Sequence, residues 1–236
     1  MEIEKILEVA ELPKILVEGA QSFLNRLLGP TIDETGQLLA DKVRFRRIRN
    51  QIKIADLAKK LVSDAGLTPK QVSLQTLLPL VDKASLEEDH TVQRMWSTLL
   101  ANAATANARD GLHRLCVEVL TSISPKEALI FLEIHNKYQV KLSEDLAQSK
   151  DEKFYRSKFY ADSIYFKPKE LYKCAGIVNE IDGVFLIDNL LRLNILKWEV
   201  PEIDDGQTVH PSFVHLTELG LAVIKECIEG PTKPES

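Results

Sequence analysis

Apolar residues recur every three or four positions through the first 138 residues, the period of helices that each bury one face. Between Ile3 and Leu28 the face comprises Ile6, Leu7, Ile15, Leu16, Phe23, Leu24, Leu27 and Leu28, with a break at Pro13 and a stop at Gly29-Pro30. Thr31-Ile-Asp-Glu34 then has the spacing of a capping box, and the helix it opens is expected to reach Ala65-Gly66. About 30 residues at 1.5 Å each span roughly 45 Å, more than a small core can wrap, so part of this helix is expected to project or to pack on another chain. Three further starts are predicted where a hydroxyl stands three residues before Glu or Gln: Thr68-Pro69-Lys-Gln71, Ser85-Leu-Glu-Glu88 and Ser124-Pro125-Lys-Glu127. Val92, Met95, Trp96, Leu99, Leu100 and Ala103 form one helical stripe, and Leu112, Leu115, Cys116, Val119 and Leu120 form another. The two are expected to face each other across the small, polar connection from Ala104 to Asp110.

From Gln139 to Tyr165 the period is lost and charged residues alternate with Phe154, Tyr155, Phe159, Tyr160 and Tyr165, which reads as a boundary. Beyond it the pattern predicts a short helix (Pro168 to Ala175), a second helix (Val184 to Leu193), a strand (Ile195 to Val200), an acidic loop (Pro201 to Gln207), a second strand (Thr208 to His215) and a last helix (Thr217 to Ile228). Helix, helix, hairpin, helix is close to a winged-helix arrangement. The expected fold is therefore mainly α: an N-terminal helical domain with one long helix (1–138), a charged and aromatic connecting segment (139–165), a C-terminal winged-helix-like α+β domain (166–228) and a disordered tail (229–236).

Composition adds bounds. The chain has 236 residues, 44% of them hydrophobic, enough for a proper core. Its net charge of −5 argues against wholesale coating of nucleic acid. Cys116, Cys174 and Cys227 are far apart and outside any C-x-x-C spacing, which suggests neither a disulfide framework nor a zinc site and fits a reducing cytosol. No leader pattern opens the chain and no apolar run approaches the ~20 residues that cross a bilayer, so a protein neither exported nor spanning is expected.

Several strings resemble a known family. Gly29-Pro30, Asp41-Lys-Val-Arg44 with Arg47-x-x-Asn50, Ser85-Leu-Glu-Glu-Asp89, and Trp96-x-x-Leu99-Leu-Ala-Asn102-Ala103 are similar to the bacterial abortive-infection alpha (Abi-alpha) family, a domain of unknown function. The resemblance covers roughly residues 25–215 and implies an association with phage defence, without a chemistry to carry over. At one point the chain departs from it: a His-Pro-x-Phe-like string is expected ahead of the Ser124-Pro125 helix, where Leu112-His113-Arg114-Leu115 stands instead.

The residues themselves offer little catalysis. Ribonuclease effectors place arginine and histidine on a helix with four to six residues between them; Arg109 and His113 have three between them and read as a surface pair. Histidine-rich metal motifs and phosphate-cradling glycine loops do not occur in the sequence, and His210 and His215, five apart in a predicted strand, point to opposite faces. Glu87-Glu88-Asp89 is expected to complement a helix dipole, Trp96 to sit in the core and Asn102 to cap a helix end. No catalytic residue, metal ligand or cofactor is assigned.

The basic run carries the clearest surface signal. Between Asp41 and Lys60 stand eight Lys or Arg and two Asp, a local +6 that leaves −11 for the rest of the chain. Arg44, Arg46, Arg47, Arg49 and Lys53 are the expected site for an anionic ligand or a partner; the competing reading is a solvated helix face. In the winged-helix-like part, the helix that would read DNA carries Asp182, Asp188 and only Arg192, so protein contact or support is favoured there. The expectation is a phage-defence protein, more an assembly than an enzyme, acting through surface binding. Its expected partners are other copies, a phage or host protein, and an anionic membrane surface reached through Ile15 to Leu28, at the inner face of the membrane of a cytoplasmic protein. The alternative is a nucleic-acid-binding regulator that uses the basic helix 42–60.

Overall fold

The computed structural model describes residues 18–20, 22–24, 26, 45–105, 110–148, 164–199 and 213–232, by backbone alone at 45, 46 and 145–148. The described chain is mainly helical, with one small three-stranded sheet. It divides into two compact units, one within Met1–Ser122 and Glu226–Ser236, the other within Ile123–Lys225.

In the first unit four helices are bounded: α1 (Phe45–Asp64), α2 (Leu74–Ala84), α3 (His90–Thr105) and α4 (Asp110–Ser122). Helix α1 falls within the span expected for the long helix; the Thr31 capping box and residues 31–44 lie outside the described residues. It ends as glycine chemistry dictates. Gly66 takes φ +63°, its N–H donates to Ser63 O at 2.9 Å, and Leu67 N donates to Val62 O at 3.1 Å. Ahead of α1, residues 18–20, 22–24 and 26 are helical, and Ala20 and Phe23 are buried.

Helix α3 lies at the centre. Val92, Gln93 and every residue from Met95 to Ala104 are buried, so the predicted single stripe proves to be a helix covered on all sides. Its hydroxyls are satisfied within the helix: Ser97 donates to Gln93 O at 2.8 Å, Thr98 to Arg94 O at 3.0 Å and Thr105 to Ala101 O at 2.9 Å. Helix α1 packs chiefly on α3, and α2 on α4.

Two predicted starts are corrected. Thr68-Pro69 opens no helix; α2 begins at Leu74 after Ser73. Ser85 closes α2 rather than opening α3, and Asp89 takes the capping role, its Oδ1 accepting from Thr91 N at 2.8 Å and Val92 N at 3.1 Å. A carboxylate acceptor one turn nearer the helix displaces the serine.

The second unit contains α5 (Pro125–Gln148), β1 (Tyr165–Phe166), α6 (Pro168–Cys174), α7 (Glu180–Arg192), β2 (Leu196–Trp198), β3 (Val214–Leu216) and most of α8 (Glu218–Ile228). The Ser124 capping box forms as predicted: Ser124 N donates to Glu127 Oε2 at 2.6 Å, and Glu127 N to Ser124 Oγ at 3.4 Å. The other carboxylate oxygen of buried Glu127 accepts from Asn189 Nδ2 at 2.5 Å, tying α5 to α7. Helix α5 continues to Gln148, so the start of the expected connecting segment is helical, while residues 149–163 lie outside the described residues. The sheet order is β1-β3-β2, antiparallel throughout, with Tyr165 opposite His215 and Leu196 opposite Leu216. The acidic loop and most of the second predicted strand fall within 200–212, outside the described residues; the strand itself is seen at Val214–Leu216.

Helix α7 starts four residues earlier than predicted, at Glu180, where Asn179 Oδ1 caps it by accepting from Ile181 N at 3.0 Å. Gly183 lies within this helix. Here glycine serves close packing: a Cβ at this position would lie 2.4 Å from Cγ of the Tyr172 ring on α6. Gly183→Ala is expected to cost about 1–3 kcal/mol, an overpacking penalty that exceeds alanine's helix propensity gain. Gly111→Ala, on exposed α4 backbone with open space around it, is expected to be neutral or to stabilise by up to about 1 kcal/mol. Urea unfolding of the two variants beside the wild type checks both signs.

Candidate functional site on the basic helix

Arg47 and Asn50 are three residues apart on α1 and therefore share a face. Both reach the connection between α2 and α3. Arg47 Nε donates to Ser85 Oγ at 2.8 Å, and Nη2 donates to Asp82 Oδ1 at 2.5 Å and to Asp82 O at 3.2 Å. Asn50, buried one turn on, donates from Nδ2 to Ser85 O at 3.1 Å and Glu87 O at 2.7 Å. Gln93 Nε2 adds a bond to Glu87 O at 2.8 Å. Glu87 in turn uses Oε1 to accept from the amides of Glu88 at 3.0 Å and Asp89 at 2.8 Å. The acidic cluster therefore holds its own turn, and Asp89 meets the positive end of α3.

The energetics differ across this clamp. The Arg47–Asp82 pair is half open to solvent and contributes no more than about 1 kcal/mol. The buried amides matter more, because a carbonyl stranded without its donor costs about 1–3 kcal/mol. Of the five basic residues predicted as a site, the structure takes Arg47 into this clamp. Arg49 and Lys53, four residues apart, are exposed on adjacent turns of α1. Arg46 is helical by backbone, and Arg44 lies outside the described residues. Lys59 is drawn toward the preceding helical residues, its Nζ 2.9 Å from where a Cβ on Gly19 would stand. What sequence reasoning missed was the internal duty of Arg47: its partners are 35 and 38 residues away, and no local pattern marks them.

At its far end α3 makes a second clamp within the same unit. Asn102 Nδ2 donates to Glu226 O at 2.8 Å and to Glu229 O at 2.9 Å, satisfying carbonyls at the C-terminus of α8. The sequence places Asn102 as the cap of its own helix; it caps another helix instead, because its amide reaches carbonyls more than a hundred residues away. Glu229, assigned from sequence to a disordered tail, is held by this bond. His113, buried on α4, places Nε2 3.4 Å from Glu226 Oε2 without hydrogen-bond geometry. Arg109, its expected neighbour, lies outside the described residues, as does His210; His215 is buried in β3 with its ring 5.6 Å from that of Tyr165. One turn from His113, the Cys116 side chain meets Cys227, and both are sealed from solvent. Burial, then the hydrogen bond with Cys116, push the Cys227 thiol well up, which keeps it protonated and unreactive. Trp96 is buried in the core, as expected.

Among the described residues no group of three or more His, Cys, Asp or Glu is placed to hold a metal ion, and no helix is long and apolar enough to cross a membrane. Phe23, from the amphipathic segment proposed to meet lipid, is buried in the folded chain.

Two measurements follow from this geometry. Asn102→Ala, which strands two carbonyls, is expected to lower stability by about 1–3 kcal/mol, whereas Arg49→Ala and Lys53→Ala stay within about 0.5 kcal/mol of wild type; denaturant unfolding reads both. In thiol titration with an aromatic disulfide reagent, Cys174 is the cysteine expected to react in the folded protein, with Cys116 and Cys227 joining on unfolding. Burial and the nearby Glu133 raise the Cys174 pKa, so its thiolate, and hence its reaction rate, develops at higher pH than in free cysteine.

A family model described as abortive infection alpha matches residues 49–227, which takes in Asn50, the Ser85–Asp89 turn, Asn102 and the whole span of the second unit. No curated protein and no solved structure matches the chain. Because that one model spans most of the chain and runs through both units, the protein belongs to the abortive infection alpha family.

Proposed function

We propose that this is a phage-defence protein of abortive infection that acts by binding a protein partner through its second unit, in a cytoplasmic assembly rather than by bond-making chemistry. The observation that carries the reading is the second unit itself. Its order, α5-β1-α6-α7-β2-β3 with β3 between the other strands, supports a winged-helix-like reading, in which α7 would take the place of the helix that reads DNA. Here the solvent side of α7 presents Glu180, Asp182 and Asp188, and phosphate would be repelled. Among the described residues of the family-like strings, Arg47, Asn50, Ser85, Glu87, Asp89 and Asn102 hold turns and helix ends, which supports a role for them in stability and leaves recognition to the surface.

Arg49 and Lys53, both exposed, support a second reading, a regulator that grips nucleic-acid phosphates with the basic helix 42–60; the same pair would serve an anionic membrane. Phage plating efficiency and survival of infected cells separate these readings in bacteria that express wild type, Asp182→Lys/Asp188→Lys, or Arg49→Glu/Lys53→Glu. Protection is expected from wild type and from the Arg49/Lys53 variant, and is expected to be lost in the Asp182/Asp188 variant, with all three showing the same helical spectrum. Loss in the Arg49/Lys53 variant alone would move the function to the basic helix. Protection by none against a broad phage panel would remove the defence reading.

A further inference from the structure

Helix α7 buries Gly183, Ile187 and Leu190 and turns its opposite side to solvent. That outer side is apolar. Val178, just ahead of the cap, is 94% exposed, Ile181 65%, Val184 47% and Phe185 66%. Spacings of three and four residues place them on successive turns of one face, so they form a continuous ridge rather than scattered positions. Exposed apolar residues gathered in this way mark a binding surface, and aromatic anchors carry much of the energy at such surfaces.

The charge around the ridge specifies what fits it. Glu180, Asp182 and Asp188 are exposed along it, and the one cation of the helix, Arg192, stands in its last turn with its guanidinium donating to Asn189 Oδ1 at 3.0 and 2.8 Å, so the face stays net acidic. Two copies packed through this face would set carboxylates against carboxylates, which costs rather than contributes energy. An anionic lipid surface or a nucleic acid would meet the same repulsion.

We infer that the exposed face of α7 docks an amphipathic protein helix whose apolar stripe is flanked by lysine or arginine. Ile181, Val184 and Phe185 fill its apolar stripe, and Asp182 and Asp188 pair with its cations at the rim. The inference rests on the protein-contact reading of the second unit and names the chemistry of the partner.

The test uses the full-length protein and a fluorescein-labelled helical peptide of leucine and lysine, with a leucine and glutamate peptide of the same pattern as its counterpart. Anisotropy titrations are run on wild type, Ile181→Ser/Phe185→Ser and Asp182→Lys/Asp188→Lys; all four positions are exposed, and the helical spectrum verifies folding. Wild type is expected to bind the lysine peptide, with affinity falling at least about tenfold in each variant, and to ignore the glutamate peptide. Equal binding of the lysine peptide to the variants, binding of both peptides, or binding of neither overturns the inference. So does self-association of wild type that Ile181→Ser/Phe185→Ser abolishes, because the face would then take a second copy. If the peptide fails to bind while Asp182→Lys/Asp188→Lys still loses phage protection, the partner chemistry is wrong and the protein-contact reading stands.

Discussion

The first unit depends on hiding α3 completely. A helix buried on every side gains the apolar contribution of Met95, Trp96, Leu99 and Leu100, but it must also find a partner for every polar group it carries inward. Its solutions run along its length. Near the start, Gln93 shares the Glu87 carbonyl with Asn50. In the middle, Ser97 and Thr98 turn back on their own helix. At the end, Asn102 takes two carbonyls from a segment more than a hundred residues away in sequence. The small residues Ala101, Ala103 and Ala104 make room for the surrounding chain, which is why a string rich in alanine and asparagine follows the tryptophan.

Much of the helical layout was legible because it is written in local chemistry. The Ser124 box, the Gly66 stop and the stripe of α3 depend on neighbours within a turn or two; the α4 stripe was legible only in part, since Cys116, Val119 and Leu120 are buried but Leu115 is exposed and His113 and Val117 face inward. The misreadings arose where one local string serves two structural ends. Ser85-Leu-Glu-Glu88 has a capping-box spacing, yet Ser85 terminates α2 and Asp89 caps α3, a choice decided by which carboxylate reaches the free amides. Nothing local marks Gly183 as a packing position, because the Tyr172 ring that requires it stands on another helix. Strand β1, two residues long, cannot display an alternation at all.

Charge shows the same division between local pattern and distant partner. The run from Asp41 to Lys60 is the most basic part of the chain, and a count of its cations suggests a broad anionic footprint. Arg47 is spent on the α2–α3 connection, so the exposed cationic surface described on α1, Arg49, Lys53, Lys59 and Lys60, is smaller than the count. Helix α7 shows the converse. Its acidic residues were plain in the sequence, but its apolar ridge was not, because Ile181, Val184 and Phe185 resemble core residues until Gly183, Ile187 and Leu190 are seen to face inward.

The grouping of Glu226 and Cys227 with residues near the other end of the chain bears on how the protein is made. Asn102, His113 and Cys116 are synthesised long before the groups that close over them, and a nascent chain halted at Lys225 would hold these three side chains without their mates. Completion of the first unit therefore waits on the ribosome reaching Glu229, after the whole of the second unit has been translated. Vectorial synthesis, in which the N-terminal part is finished first, does not apply to this chain: the part begun first is sealed last.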